Sequence, residues 1–227
     1  DPDAAAELYE AALSVDPKVP GALDALKRLH YGRRRWRELI RVLEREAEQA
    51  RDVSVRMMAH YRIGQIHADR LGNRREAITA LERAVSEAPD QPFVLDTLAR
   101  LYEQAGAQQS LADTLERLAA CTADPQERLG YLHRIGDLYR DRLADDDAAM
   151  KAYERALAID PAYIPALRAL GPMYQAKERW DDLVKMHEAE VAAVHDARRR
   201  AVAHARAAEI LERTGRWTES TGHHERA

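Results

Sequence analysis

Apolar and small residues recur three or four positions apart along nearly the whole chain, and each such run is broken by Pro, Gly or Asp. That spacing places them on one face of an α-helix. The stretch from Gln126 to Pro161 shows the pattern well. Leu132, Ile135, Gly136 and Tyr139 share one face, Ala149, Tyr153, Ala156 and Leu157 share another, and a short acidic turn lies between. Two such faces can bury each other.

Aligned against itself, the chain repeats at a step of 72 residues. Tyr9, Leu81 and Tyr153 superpose, as do Ala12, Ala84 and Ala156, then Leu26, Leu98 and Leu170, then Leu39, Leu111 and Leu183. Pro17, Pro89 and Pro161 follow the same step, and Ile63-Gly64 falls on Ile135-Gly136. A whole register of matches marks an array of like units.

The spacing predicts helices over about Asp3–Val15, Val19–Tyr31, Trp36–Ala50, Val53–Arg70, Arg74–Glu87 and Pro92–Gln104. Further helices are predicted over Leu111–Cys121, Gln126–Asp141, Asp147–Ile159, Ala162–Gln175, Trp180–Val194 and Ala197–Arg213. Gly215, Trp217 and Ser220 open a thirteenth, while Thr221–Ala227 reads as a frayed tail. Asp124-Pro125 supplies a capping carboxylate and a first-turn proline, and Asp145, Asp146 and Asp147 stand where carboxylates favour a helix N-terminus.

The register resembles the tetratricopeptide repeat. Ile135-Gly136 stands at that family's Leu-Gly, Tyr139 at its Tyr, Ala149 and Ala156 at its small residues, Tyr153 at its aromatic and Pro161 at its Pro. Repeats of that family have 34 residues, and one extra residue is expected here in the Leu143–Asp147 turn. Strict and loose repeats alternate within the 72-residue step. The resemblance implies an all-α, right-handed α-solenoid of about 13 helices forming a single domain over residues 1–227. Both ends stop inside a repeat, so a segment of a longer array, able to self-associate through uncapped ends, is expected.

The resemblance also implies a protein-interaction scaffold without catalysis, holding a peptide or helix of a partner in a concave groove. Two other readings stay open. One is a regulatory or sensory array fused to an enzyme or signalling domain outside this segment, and the other is a helical-repeat nucleic-acid binder.

Composition narrows these. The 227 residues are 33% charged and 46% hydrophobic, with a net charge of −4. That balance gives no overall attraction for nucleic acid or an anionic membrane. No apolar run approaches the roughly 20 residues of a membrane-spanning helix, and a cytoplasmic location is the expectation. The single cysteine, Cys121, cannot form an internal disulfide or a cysteine metal cluster.

No cofactor or metal is expected. His60 and His67, and His187 and His195, share helical faces without the spacing and carboxylate of a zinc-binding helix. His223 and His224 fall in the tail. There is no glycine-rich phosphate loop and no nucleophile motif. Trp36 and Trp180 occupy one position of the 72-residue step and, with Trp217, read as packing between helices rather than as a ligand box.

The first helices of the repeats, which line the inner surface in this family, carry Arg28, Arg62, Arg100, Arg134, Arg168 and Arg206 at steps of 34 or 38 residues. By analogy with groove positions, Tyr31, Tyr61, Gln65, Asp96, Glu103, His133, Asp137 and Arg140 join them. The other reading of these arginines is local pairing, as in Arg134 with Asp137 or Arg100 with Glu103. Exposed ion pairs contribute roughly 0.2–1 kcal/mol each, so six arginines fall short of the roughly 8 kcal/mol of a micromolar complex. Apolar anchors are required, and Tyr31, Tyr61 and Phe93 are the candidates. The Lys and Asn clamp with which some members hold acidic C-terminal tails is excluded. Its positions carry Tyr61, Gln65, Thr97, Gly130 and Arg134, of which only the last fits.

Overall fold

The periodic runs fold as helices throughout. The structure, a computed structural model, describes residues 2–227, and among them there are thirteen α-helices and no strand. The first six are α1 (Pro2–Val15), α2 (Ala22–Gly32), α3 (Trp36–Gln49), α4 (Val53–Ile66), α5 (Arg74–Glu87) and α6 (Pro92–Ala105). Then come α7 (Gln108–Cys121), α8 (Pro125–Leu138), α9 (Asp146–Ile159), α10 (Ile164–Ala176), α11 (Trp180–Ala193), α12 (Ala197–Arg213) and α13 (Trp217–His224).

Contacts divide the chain into two units, one ending at Thr114 and the other beginning at Leu115. In the first unit, Leu39, Ile40 and Leu43 of α3 pack with Ile63 and Ile66 of α4 and Ala80 of α5. Ala6, Leu13, Ala22, Leu26 and Val42 join α1, α2 and α3. In the second unit α8 packs on α9, α10 on α9 and α11, and α12 on α11 and α13. Tyr153, Ile135, Leu170 and Leu211 are fully enclosed there.

The helix starts have identifiable causes. Asp52, Asp124, Asp145 and Asp196 each accept a hydrogen bond from a first-turn backbone N–H of the helix that follows, which satisfies a donor with no intrahelical partner. Helix α2 begins at Ala22 rather than Val19, because Gly21 adopts the left-handed region at φ 76° and interrupts the run. Helix α7 starts at Gln108, ahead of the first apolar residue, Leu111. The tail expected to fray is helical through His224 and buries Ser220 and His223. Ser220 bonds Glu212 at 3.1 Å and His223 meets His204 at 3.0 Å. A pattern of bulky apolar residues misses an end anchored this way.

The additional residue of the strict repeats is not in the turn. Helices α4 and α8 each run on into a five-residue π-helical turn, His67–Leu71 and Tyr139–Leu143. Such a turn takes up one residue by widening the helix, so the connection itself stays short. The chain then reverses at Gly72 and Ala144, both left-handed, with φ 67° and 52°.

Two close approaches set the packing of the strict pairs. A Cβ on Gly136 would lie 2.3 Å from the Tyr153 ring, and one on Gly64 would lie 2.7 Å from Leu81. Gly136→Leu is therefore expected to lose about 1–3 kcal/mol through overpacking, read as a lower midpoint in urea unfolding. The loose pairs reverse at Arg34, Gly106 and Glu178, all with positive φ. Only the middle one is the residue suited to it. Arg34→Gly and Glu178→Gly relieve a left-handed penalty of about 1 kcal/mol per site, and each variant should melt above the parent in calorimetry.

Candidate functional site

In the first unit, α2, α3, α4 and the π-turn enclose a cavity of about 500 Å³. Four of the predicted residues, Arg28, Tyr31, Arg62 and Gln65, line it. Its floor is apolar, formed by Trp36, Leu39, Leu43 and Ile66. Tyr31, 61% exposed, meets Trp36 edge-on with ring centroids 5.6 Å apart. The Arg70 guanidinium lies 5.3 Å from the Trp36 ring centroid, within cation–π range.

Charge around this cavity is unevenly matched. Lys27 is held by Asp24 at 2.9 Å and by Glu46. Arg28 and Arg62 are exposed and close no ion pair among the described residues. Their field is nevertheless felt. The Asp24 carboxyl sits below the usual carboxylate range, first through its bond with Lys27 and then through Arg28 and Arg62.

Beside the cavity, Gln65 donates to the Tyr61 hydroxyl at 3.0 Å, and Tyr61 meets Phe93 edge-on at 4.9 Å. Six candidates thus form one connected cluster. Arg100 and Glu103 are exposed on α6 and do not line the cavity.

The second unit places its candidates differently. Asp137 is half-buried and its carboxylate is already engaged. It accepts from the Tyr153 hydroxyl at 2.7 Å and from Arg140 at 3.1 Å, and His133 approaches at 3.5 Å. Arg134, on the same helix, is half-buried. Arg168 and Arg206 line another cavity, of about 420 Å³, with Trp180, Leu183 and His187.

The two cavities stand at one register, 144 residues apart. Trp36, Leu39, Arg62 and Ile66 correspond to Trp180, Leu183, Arg206 and Ile210. Arg213 lies 4.7 Å from the Trp180 ring centroid, where Arg70 lies over Trp36. Trp36 and Trp180 therefore line cavities as well as packing helices, which differs from the packing-only reading. Trp217 is 64% exposed. The shared register of the two tryptophans was the signal that could have marked both cavities.

The class of protein this defines is an array of α-helical hairpins. Sequence profiles of the tetratricopeptide repeat match residues 59–91 and 129–163 and residues 22–56 and 166–201. These stretches together exceed half of the chain, and the chain belongs to the tetratricopeptide repeat family. No curated protein matches the chain. Among solved structures, MamA is similar over 84% of this chain and 97% of its own, at 19% identity and a TM-score of 0.43. YrrB, described as a TPR protein with an unusual peptide-binding site, is similar over 74% of this chain and 82% of its own, at 15% identity and 0.44. A tetratricopeptide repeat protein from Parabacteroides merdae covers 95% of this chain and 77% of its own, at 14% identity and 0.44. Among the described residues no helix is long and apolar enough to cross a membrane.

His30, His187 and His223 are buried. His187 is buried beside Glu190 at 3.2 Å, and burial lowers its pKa. Burial likewise lowers that of His60, and burial followed by His223 lowers that of His204. An imidazole whose folded pKa is depressed contributes stability above the ordinary value of 6.5, and this is lost as pH falls through the folded value. Thermal melts should therefore fall steadily from neutral pH to about pH 5. His187→Leu is expected to flatten part of that slope.

Proposed function

We propose that the chain is a non-catalytic protein-interaction scaffold. Its first-helix surface holds an extended or helical segment of a partner with acidic character. The observation that carries this reading is the cluster in the first unit, where exposed arginines border an aromatic and aliphatic cavity. A few aromatic and arginine side chains commonly dominate the energy of such interfaces. Apolar floor and cationic rim together supply what the arginines alone lack. A partner segment binding there would orient along the first helices, with Tyr61 and Phe93 extending the contact.

The test is capture from a lysate of the native source, with mass spectrometry on what is retained. Charge reversal at Arg62, Arg100 and Arg134 should reduce capture of the specific partner about tenfold or more, while circular dichroism and melting stay unchanged. Equal capture by the triple variant would remove the arginine series from recognition.

A further inference from the structure

The two tryptophan-floored cavities share a register but not a chemistry. In the first, Leu43 completes the floor, and Arg28 and Arg62 stand on the rim. Lys27 is spent on Glu46 and Asp24. Asp69 is the single carboxylate among the lining residues, against three arginines, Arg28, Arg62 and Arg70, that close no ion pair among the described residues. In the second, His187 replaces Leu43, Pro172 stands in place of Arg28, and Glu209 in place of Gln65. Glu190 adds a further carboxylate, already engaged with His187. The second cavity keeps Arg168, Arg206 and Arg213 but sets Glu190 and Glu209 among them, so its rim is mixed where the first is predominantly cationic.

We infer that the Trp36 cavity is an anchor site for an internal segment of a partner protein carrying a bulky apolar or aromatic side chain with an Asp or Glu beside it, and that the Trp180 cavity does not take that segment. This rests on the scaffold reading above and names its ligand. At about 500 Å³ the cavity admits a large side chain, and its volume lies within the roughly 300–1,000 Å³ typical of ligand pockets. Trp36, Leu39 and Ile66 desolvate that side chain, while Arg28 and Arg62 offer planar, two-pronged donors to an adjacent carboxylate. A side-chain carboxylate is the occupant, since the apolar floor takes the neighbouring side chain of a continuous segment while the rim arginines take its acid. At the second cavity Glu209 would face the incoming carboxylate, and no arginine occupies the place of Arg28.

The experiment is selection of a random peptide library with blocked ends on the intact chain, followed by affinity measurement of enriched peptides. Fluorescence of Trp36, with Trp180→Phe and Trp217→Phe in place, reports binding at this cavity. Enrichment of an aromatic or large aliphatic residue next to Asp or Glu is expected. Arg62→Glu should weaken those peptides about tenfold, and Arg206→Glu should leave them unchanged. Replacing the peptide carboxylate by Lys should restore binding to the Arg62→Glu chain, a reciprocal rescue that a folding defect cannot produce.

Enriched peptides lacking the acidic neighbour, or equally sensitive to Arg206→Glu, overturn the assignment. So does binding that appears only with a free C-terminus, or a dimer of the parent chain that Arg62→Glu dissolves. If enriched peptides respond to Arg100→Glu or Arg134→Glu and not to Arg62→Glu, the scaffold reading stands and this site falls. If nothing enriches, both fall.

Discussion

Packing in the strict hairpins depends on the near-contact of two helices at a residue without a side chain. At Gly136 the backbone of α8 comes so close to α9 that the Tyr153 ring occupies the space where a Cβ would stand. Tyr153 is thereby fully enclosed, and its hydroxyl reaches across to Asp137. Asp137 in turn takes Arg140 from the π-turn. The tyrosine hydroxyl pKa is pushed upward, by burial first and then by the carboxylate, as befits a donor held beside an anion. One missing methyl thus fixes a ring, a carboxylate and a turn. The same step in the first unit pairs Gly64 with Leu81, which has no hydroxyl to offer. Gln65, the counterpart of Asp137, bonds Tyr61 instead and lines the cavity. With Tyr153 on the second helix the facing polar residue is bonded across the hairpin, and with Leu81 there it lines the cavity instead.

Much of the fold was readable because it is local. Helices, their proline and aspartate boundaries, and the glycine contacts all follow from neighbours within one hairpin, and the most extensive packing is between consecutive helices. The ends of helices were read less well where the determinant is small or polar. Gly21 delays α2, and Ser220 and His223 hold α13 in place without a bulky apolar pattern. The arginine series was legible as a spacing, but its environment was not. Arg168 illustrates this: the 72-residue step aligns it with Asp24 and Asp96, one turn before Arg28 and Arg100, where Pro172 now stands. Equal spacing along the chain does not ensure equal surroundings.

Tryptophan shows the converse. Its position on the step argued for packing, and Trp36 does pack against the aliphatic cluster of α3 and α4. A half-buried indole presents the rest of its surface, however, and the following repeat's arginine and the neighbouring tyrosine shape what remains. Two such floors stand two 72-residue steps apart, with Gln108 at the position between them, and their rims differ in charge.

The π-turns bear on how this chain can be recombined with others. Each one stores a residue inside a helix, so the connections after Leu71 and Leu143 stay short despite the longer count. A chimaera joined at Pro89 or Pro161 leaves that compensation whole. A junction placed within the widened turn would discard it and shift the register of the next helix by one residue, about 100° around its axis.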